Sequence, residues 1–584
     1  MYLELHVYCL LTVDLKKCTD ASVLCVVSMR PSERRALVGR TRDGCAPLLV
    51  AARRGNAELV EYLVHVCAAE LEQRGVYEVA ADRSRHSVTP LWCAAVAGRP
   101  AALRVLLAAG AEVDAPSGSG STPVRSACFM SHMETVRLLL AAGADVRRPN
   151  HNGGTCLINA VQSPPLCALL LDAGAEVNAR DAQGKTALHY AVAEQRLETV
   201  RLLLARGADP ALRSHAGDDA LRTAALKGSR HIVKLVLSRG AYSVSRTADA
   251  LELLGATHLD ERNDVAAALG CWRRATALRH PAPGQYVEKE HAGAPGALGA
   301  HAGVERALGG AAEWRAAAEL EALELDADGL RAQALLVAAR VLGAAHRDTL
   351  FRFMYRGAAY ADAFRYQRCI DLWLWVLEVR IHADTLLSTE TLQTAVALAR
   401  LLQAAAGGRL ARARGLPRAG DAARVLELLV GALRAARPLL AARPACPAQR
   451  ELADAALRVA LHALLTALGA ARGAAGRRRV ARAARRLRGA RTAAGETLLH
   501  LAVGRAELPP SPYFADEDAV VGARPFPSAA AARLLLRVGA APGARDALGN
   551  TPLHVAAAPH NYCAEVRTRW PYITLLRHTI FIFR

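Results

Sequence analysis

An all-α fold of stacked helix pairs is what the 584-residue chain predicts, on three observations. Alanine fills 124 positions and hydrophobic residues make up 52 %, while aromatics reach only 5 %. That composition packs helices closely and suits a β-sandwich poorly. The dipeptide Gly-Ala recurs at Gly110, Gly143, Gly174, Gly207 and Gly240, with spacings of 33, 31, 33 and 33. Ahead of the first four copies lies a helix-start block: Thr89-Pro90-Leu91, Thr122-Pro123-Val124, Thr155-Cys156-Leu157 and Thr186-Ala187-Leu188-His189. A fixed period near 33 residues is the mark of a solenoid in which each unit buries its apolar face on the next.

The elements follow from local chemistry. Thr accepts the open amides of a first helical turn, Pro suits the first helical position, and Gly ends the second helix with positive φ. Polar stretches such as Glu176-Val177-Asn178-Ala179-Arg180-Asp181 form the finger to the next unit. This is the ankyrin pattern. Residues 1–39 are an atypical N-terminal segment and ankyrin repeats occupy 40–245, with an early copy from Ala46 to Leu63 and a late one from Gly217 to Ala241. The 31-residue spacing is located at Gln162-Ser163-Pro164-Pro165, which predicts a shortened first helix there. Between Cys67 and Val88 the finger is longer than usual, and such insertions shape binding surfaces.

Beyond residue 245 the period changes. Ala250–Ala256 with Trp272 and Ala275, then Tyr355–Asp362 with Cys369–Trp373, resemble the Gly and small-residue pattern of tetratricopeptide helix pairs. We assign 246–400 to such helices, with an Ala/Gly-rich loop at 281–310, and 401–494 to an Ala/Arg-rich helical region. Ankyrin character returns over 495–560, in Thr497-Leu498-Leu499-His500 and Thr551-Pro552-Leu553-His554, as a second, truncated ankyrin segment. The tail 561–584 lacks the repeat pattern. His189, His500 and His554 hold the fourth position of the start block, where the imidazole bonds backbone between repeats. Trp92, Trp272 and Trp373 fall at helical core positions.

Several function classes are disfavoured. No P-loop, Gly-x-Ser-x-Gly or His-Glu-x-x-His occurs, and Gly118-Ser119-Gly120 meets Pro123 where a dinucleotide fingerprint needs its third glycine. An enzyme is therefore not expected, nor a cofactor. The 13 cysteines show no Cys-x-x-Cys pair and read as reduced thiols in the cytoplasm or nucleus. No uninterrupted apolar run approaches the roughly 18 residues of a spanning helix, and no basic n-region precedes an apolar core, so neither membrane insertion nor a signal peptide is expected. The net charge of +20 is concentrated: nine arginines lie between Arg472 and Arg491 without one acid. That run reads as a solvated basic helix face or linker, or as a patch for an anionic partner. Without interleaved aromatics, specific nucleic-acid readout is not expected.

The order of repeats, with Ala250–Ala256, Gln333-Ala334-Leu335-Leu336, Val341-Leu342-Gly343 and Tyr355–Asp362, resembles the Fem family, homologues of the nematode feminization protein Fem-1. Leu91-Trp92-Cys93-Ala94-Ala95 and Thr497–Val503 look most like its homolog B branch. The resemblance implies a non-catalytic substrate receptor of a cullin-2 RING ubiquitin ligase, holding C-terminal degrons of target proteins on its ankyrin face. It implies recruitment of elongins B and C with cullin-2 through a C-terminal box, a motif not legible in 561–584. A ligase-independent ankyrin scaffold in apoptotic or receptor signalling is the alternative. The family's pocket motif resembles Ser121–Phe129, followed by Met130 where the family usually has an acid, and the acidic finger position falls near Ala81 with Asp82 adjacent. The expected peptide-binding residues are therefore Asp82, Trp92, Arg125, Phe129 and Met130, within 76–160 and beside the 68–88 loop, with a structural ion pair as the alternative for an inward Arg125. Homolog B's His-Cys pair falls on Ala182 and Gln183, so no metal is expected there.

Overall fold

A computed structural model describes residues 30–78, 83–291, 303–383, 386–406, 417–418, 420–441, 446–509 and 526–558. The chain divides into two compact units, Met1–Glu288 and Lys289–Arg584.

In the first unit, short helices alternate in two layers. The inner layer is Pro47–Arg54, Pro90–Val96, Pro123–Phe129, Cys156–Asn159, Ala187–Ala193 and Ala220–Leu226. Each inner helix packs on the next, and so do most second helices of successive pairs, Met133–Ala141 and Pro164–Asp172 excepted. The caps are those the sequence predicts: the Thr89, Thr122 and Thr155 hydroxyls accept from the amides of Trp92, Arg125 and Ile158. Gly110, Gly143, Gly174 and Gly207 have φ of +91°, +84°, +88° and +84°, where a Cβ would be strained. Gly240 differs, with φ −111°, because its chain runs extended into the next helix rather than into a finger. The copy with 31-residue spacing has an inner helix of 4 residues, Cys156–Asn159, the predicted shortening. A helix at Pro31–Val38 precedes the first recognisable copy.

His189 works as expected of its position. Its Nδ1 accepts from the Thr186 amide at 3.1 Å, and its Nε2 donates to the Asp218 carbonyl of the following finger at 3.1 Å. His500 repeats the arrangement in the second unit, with Thr497 and the Asn550 carbonyl.

The helix pair Val244–Arg262 and Val265–Arg279 packs against Ala220–Leu226 and so belongs to the first unit. Trp272, 0 % exposed, crosses Gly255, where a Cβ would lie 2.5 Å from the indole nitrogen. In the second unit Trp373 crosses Gly357 in the same way. Each indole donates to a carbonyl of the facing helix, Glu252 at 2.9 Å and Met354 at 3.0 Å. The small residue and the tryptophan are therefore one device, used twice.

The second unit stacks longer helices, among them Ala327–Leu342, Arg347–Asp362, Tyr366–Ala383, Thr389–Ala406, Asp421–Ala441, Pro447–Ala470 and Gly473–Leu487, then the short Leu498–Val503, Ala529–Arg537 and Pro552–Ala557. Val304, Ala307 and Leu308, placed by sequence in a loop, are buried in its core. The helix Pro447–Ala470 is long and apolar enough, by length and composition, to cross a membrane. Asp454 and Arg458 interrupt its apolar run, which hid it from the sequence criterion. It packs on Thr389–Ala406 and Asp421–Ala441, and 61 % of its most apolar stretch is buried, as in a core helix. The tail 561–584 lies outside the described residues.

Candidate peptide-binding face

The long finger folds as an antiparallel hairpin of β1, Gly75–Glu78, and β2, Arg85–Val88, pairing Gly75 with Val88 and Glu78 with Arg85. Residues 79–82 of its turn, Asp82 among them, lie outside the described residues. The hairpin is seated by Trp92. Tyr77 meets the indole edge-to-face with ring centroids 5.3 Å apart, and Leu49, Val88, Cys93 and Val96 complete the cluster. Trp92 is 6 % exposed. It therefore holds the hairpin and is not an open wall of the groove.

Ser121 joins Trp92 to Arg125. Its carbonyl accepts from Trp92 Nε1 at 3.0 Å, and its hydroxyl accepts from Arg125 Nη1 at 2.7 Å. Arg125 Nε also donates to the Gly154 carbonyl at 2.8 Å. The Ser117, Ser119 and Ser121 hydroxyls form a chain at 3.0 Å and 3.2 Å leading to the guanidinium. Among the described residues no carboxylate forms a salt bridge with Arg125. Burial pushes its pKa below the ordinary guanidinium value, opposed only by the Cys156 and Cys128 thiols. A half-buried cation bonded to neutral acceptors keeps donors with which it can take a carboxylate.

One turn further, Phe129 is 68 % exposed and Met130 47 % exposed, beside Ser131 at φ +58°. Arg125 and Phe129 are four apart on one helix face, so charge and apolar surface adjoin. The structure thus brings Arg125, Phe129 and Met130 together and assigns Trp92 to their support. The serine chain was missed: Ser-Gly-Ser-Gly-Ser, 117–121, carried the signal, but only as a failed nucleotide fingerprint.

The fold and this face define an ankyrin-repeat protein, and family models of ankyrin repeats match residues 43–75, 91–140, 126–163 and 157–248. Within that class the chain is related to the Fem-1 homologs. It is 36 % identical to protein fem-1 homolog A of Danio rerio over 333 residues, 54 % of this chain and 48 % of that one. It is 35 % identical to human protein fem-1 homolog A over 325 residues, 54 % of this chain and 44 % of that one. To fem-1 homolog C of Danio rerio it is 33 % identical over 321 residues, 53 % and 47 % of the two chains. The chain spans about half the length of these relatives. They are homologs A and C, whereas the Leu91–Ala95 and Thr497–Val503 blocks pointed to B. Both blocks open ankyrin helices, where the repeat itself dictates the residues.

Proposed function

We infer that the chain is a non-catalytic substrate receptor. It holds the C-terminal peptide of a target protein on the Arg125–Met130 face and presents that target, through elongins B and C, to a cullin-2 RING ubiquitin ligase in the cytoplasm and nucleus. The observation that carries the peptide-binding half is the half-buried Arg125 guanidinium, hydrogen-bonded only to neutral oxygens, beside exposed Phe129. The ligase half is supported by the relationship to the Fem-1 homologs. The nine free cysteines among the described residues, mostly buried, suit a reducing compartment.

The peptide's terminal carboxylate takes the remaining donors of Arg125 and its last side chain lies on Phe129 and Met130. Arg125→Ala is expected to weaken a labelled peptide with a free carboxyl end by about tenfold, the worth of one charge-assisted bond. Amidating the peptide should cost the same, and should cost the variant nothing more. Crosslinks of that peptide confined to residues 350–480 would overturn this placement. Stoichiometric recovery of elongin C and cullin-2 with the chain supports the ligase reading, and their absence supports a ligase-independent scaffold.

Met130 sets the specificity. An arginine-ended peptide needs a carboxylate for its guanidinium, and Met130 offers none. Met130→Asp is expected to tighten an arginine-ended peptide by about tenfold and leave a leucine-ended one no tighter, the low end of what a charge pair contributes because the position is half exposed. Calorimetry with the two peptides reads the difference directly.

A further inference from the structure

We propose that the arginine face of the helix Gly473–Leu487 is a docking surface for an acidic protein segment, a run of aspartate and glutamate side chains. The helix cannot turn. Val480, Ala483, Ala484 and Leu487, spaced as one helical stripe, are each at most 4 % exposed and belong to the core of the second unit. The opposite side carries Arg477, Arg478, Arg479, Arg482, Arg485 and Arg486, every one exposed. Ala529–Arg537 packs on the same helix and adds exposed Arg533 and Arg537. Arg488 reaches the next turn, where a Cβ on Gly539 would meet its Nη1 at 3.3 Å. Neither 472–491 nor 526–545 contains an acid.

One carboxylate is already held on this surface. Arg479 grips Glu427 of the neighbouring helix with both arms of its fork, Nε to Oε1 at 2.6 Å and Nη2 to Oε2 at 2.5 Å. That bond, with the charges of Arg479, Arg486 and Arg482, holds the Glu427 carboxyl below the usual range. Among the described residues it is the only salt bridge made by the six arginines of this face. The arginines at 478, 482 and 485 follow the helix at spacings of about 4.5–6 Å, within reach of carboxylates on successive turns of a peptide.

Two other anionic partners suit the surface less well. No exposed aromatic lies on these helices to stack a base, as a nucleic-acid strand would require. The apolar stripe is committed to the core, which leaves nothing to insert into a bilayer.

The test uses the full chain, a fluorescein-labelled 12-residue Asp/Glu peptide and its Asn/Gln counterpart, followed by anisotropy. The acidic peptide is expected to bind and to weaken by about tenfold or more between 50 and 300 mM salt, as screening shortens the Debye length. The neutral peptide should not bind. R478E/R482E/R485E should weaken acidic-peptide binding by about tenfold or more while keeping the melting temperature and the affinity of the carboxyl-terminal peptide at Arg125. If that variant melts early, R482Q, expected to weaken binding about threefold, replaces it. Equal binding by wild type and variant, or binding of the neutral peptide, overturns the proposal. So does tighter binding of 12-nucleotide DNA, single- or double-stranded, which would assign the face to nucleic acid. The peptide site at Arg125 stands or falls separately.

Discussion

Replacing Glu313 by alanine is expected to lower the stability of the Lys289–Arg584 unit by about 3–5 kcal/mol, the cost of leaving a buried charge without its partner. The Glu313 carboxylate receives Arg340 Nε at 2.8 Å and Lys289 Nζ at 2.8 Å. Arg340 is 1 % exposed. Lys289 also lies 4.1 Å from the centroid of the Trp314 ring and donates to the Trp314 carbonyl. Burial alone would raise the Glu313 pKa, but the charges and hydrogen bonds of Arg340 and Lys289 outweigh it and hold it at about 2. The folded value is below the unfolded one of 4.5, so the unfolded chain takes up the proton first. The stability this group contributes is complete above pH 4.5 and is lost as pH falls toward 2.

His462 adds an earlier acid step. Its Nε2 donates to the Ala506 carbonyl at 2.6 Å, and its Nδ1 accepts from the Gln403 side-chain amide. Burial lowers its pKa to about 4, the Ala506 carbonyl opposing and the Arg400 charge assisting. That contribution is present above pH 6.5 and falls away on the path to pH 4. Urea midpoints of the wild type should therefore decline in two stages, from pH 6.5 and from pH 4.5. Glu313→Gln should abolish the second stage alone. An unchanged midpoint in Glu313→Ala at pH 7 would show that the triad is not a stabilising centre.

Trp92→Ala should be as severe, about 3–5 kcal/mol, because it opens a cavity in a packed cluster and takes from the Ser121 carbonyl one of its two donors, leaving the Ser117 amide. The loss reaches the peptide face through structure: without the indole, Tyr77 and the hairpin lose their seat, and Ser121, which holds Arg125, loses one of its anchors. Peptide affinity in Trp92→Ala should therefore fall in step with the unfolded fraction measured by circular dichroism, whereas Arg125→Ala weakens binding in a chain that melts normally. A Trp92→Phe variant keeps most of the apolar volume and loses the donor. It should recover most of the stability, and a recovery of binding without stability would return Trp92 to direct contact with peptide.

These contrasts mark what was legible in the sequence. The ankyrin stack needed only local chemistry: Thr at the cap, Gly where φ is positive, Leu at helical spacing. Such signals act within a few residues, so the pairs from Pro47 to Arg239 fall where they were read, down to the shortened helix at Cys156–Asn159. The arginine run was legible for the same reason, and Trp272 and Trp373 read as core positions, though the glycine each crosses was not. The tertiary structure decided the rest. Arg125 and Trp92 occupy the same position of successive start blocks, and the family resemblance offered both as lining although Trp92 also read as a core position. Contacts outside the start blocks separate them: Ser121 and Tyr77 draw the indole inward, while Gly154 and Ser121 leave the guanidinium half exposed without an acid. The helices from Asp421 to Leu487 showed no motif, because alanine-rich helices record helix propensity but not which neighbour they meet. Which side of the arginine helix faces solvent, and which carboxylate its forks hold, became determined only when Val480, Ala483 and Leu487 found their place in the core.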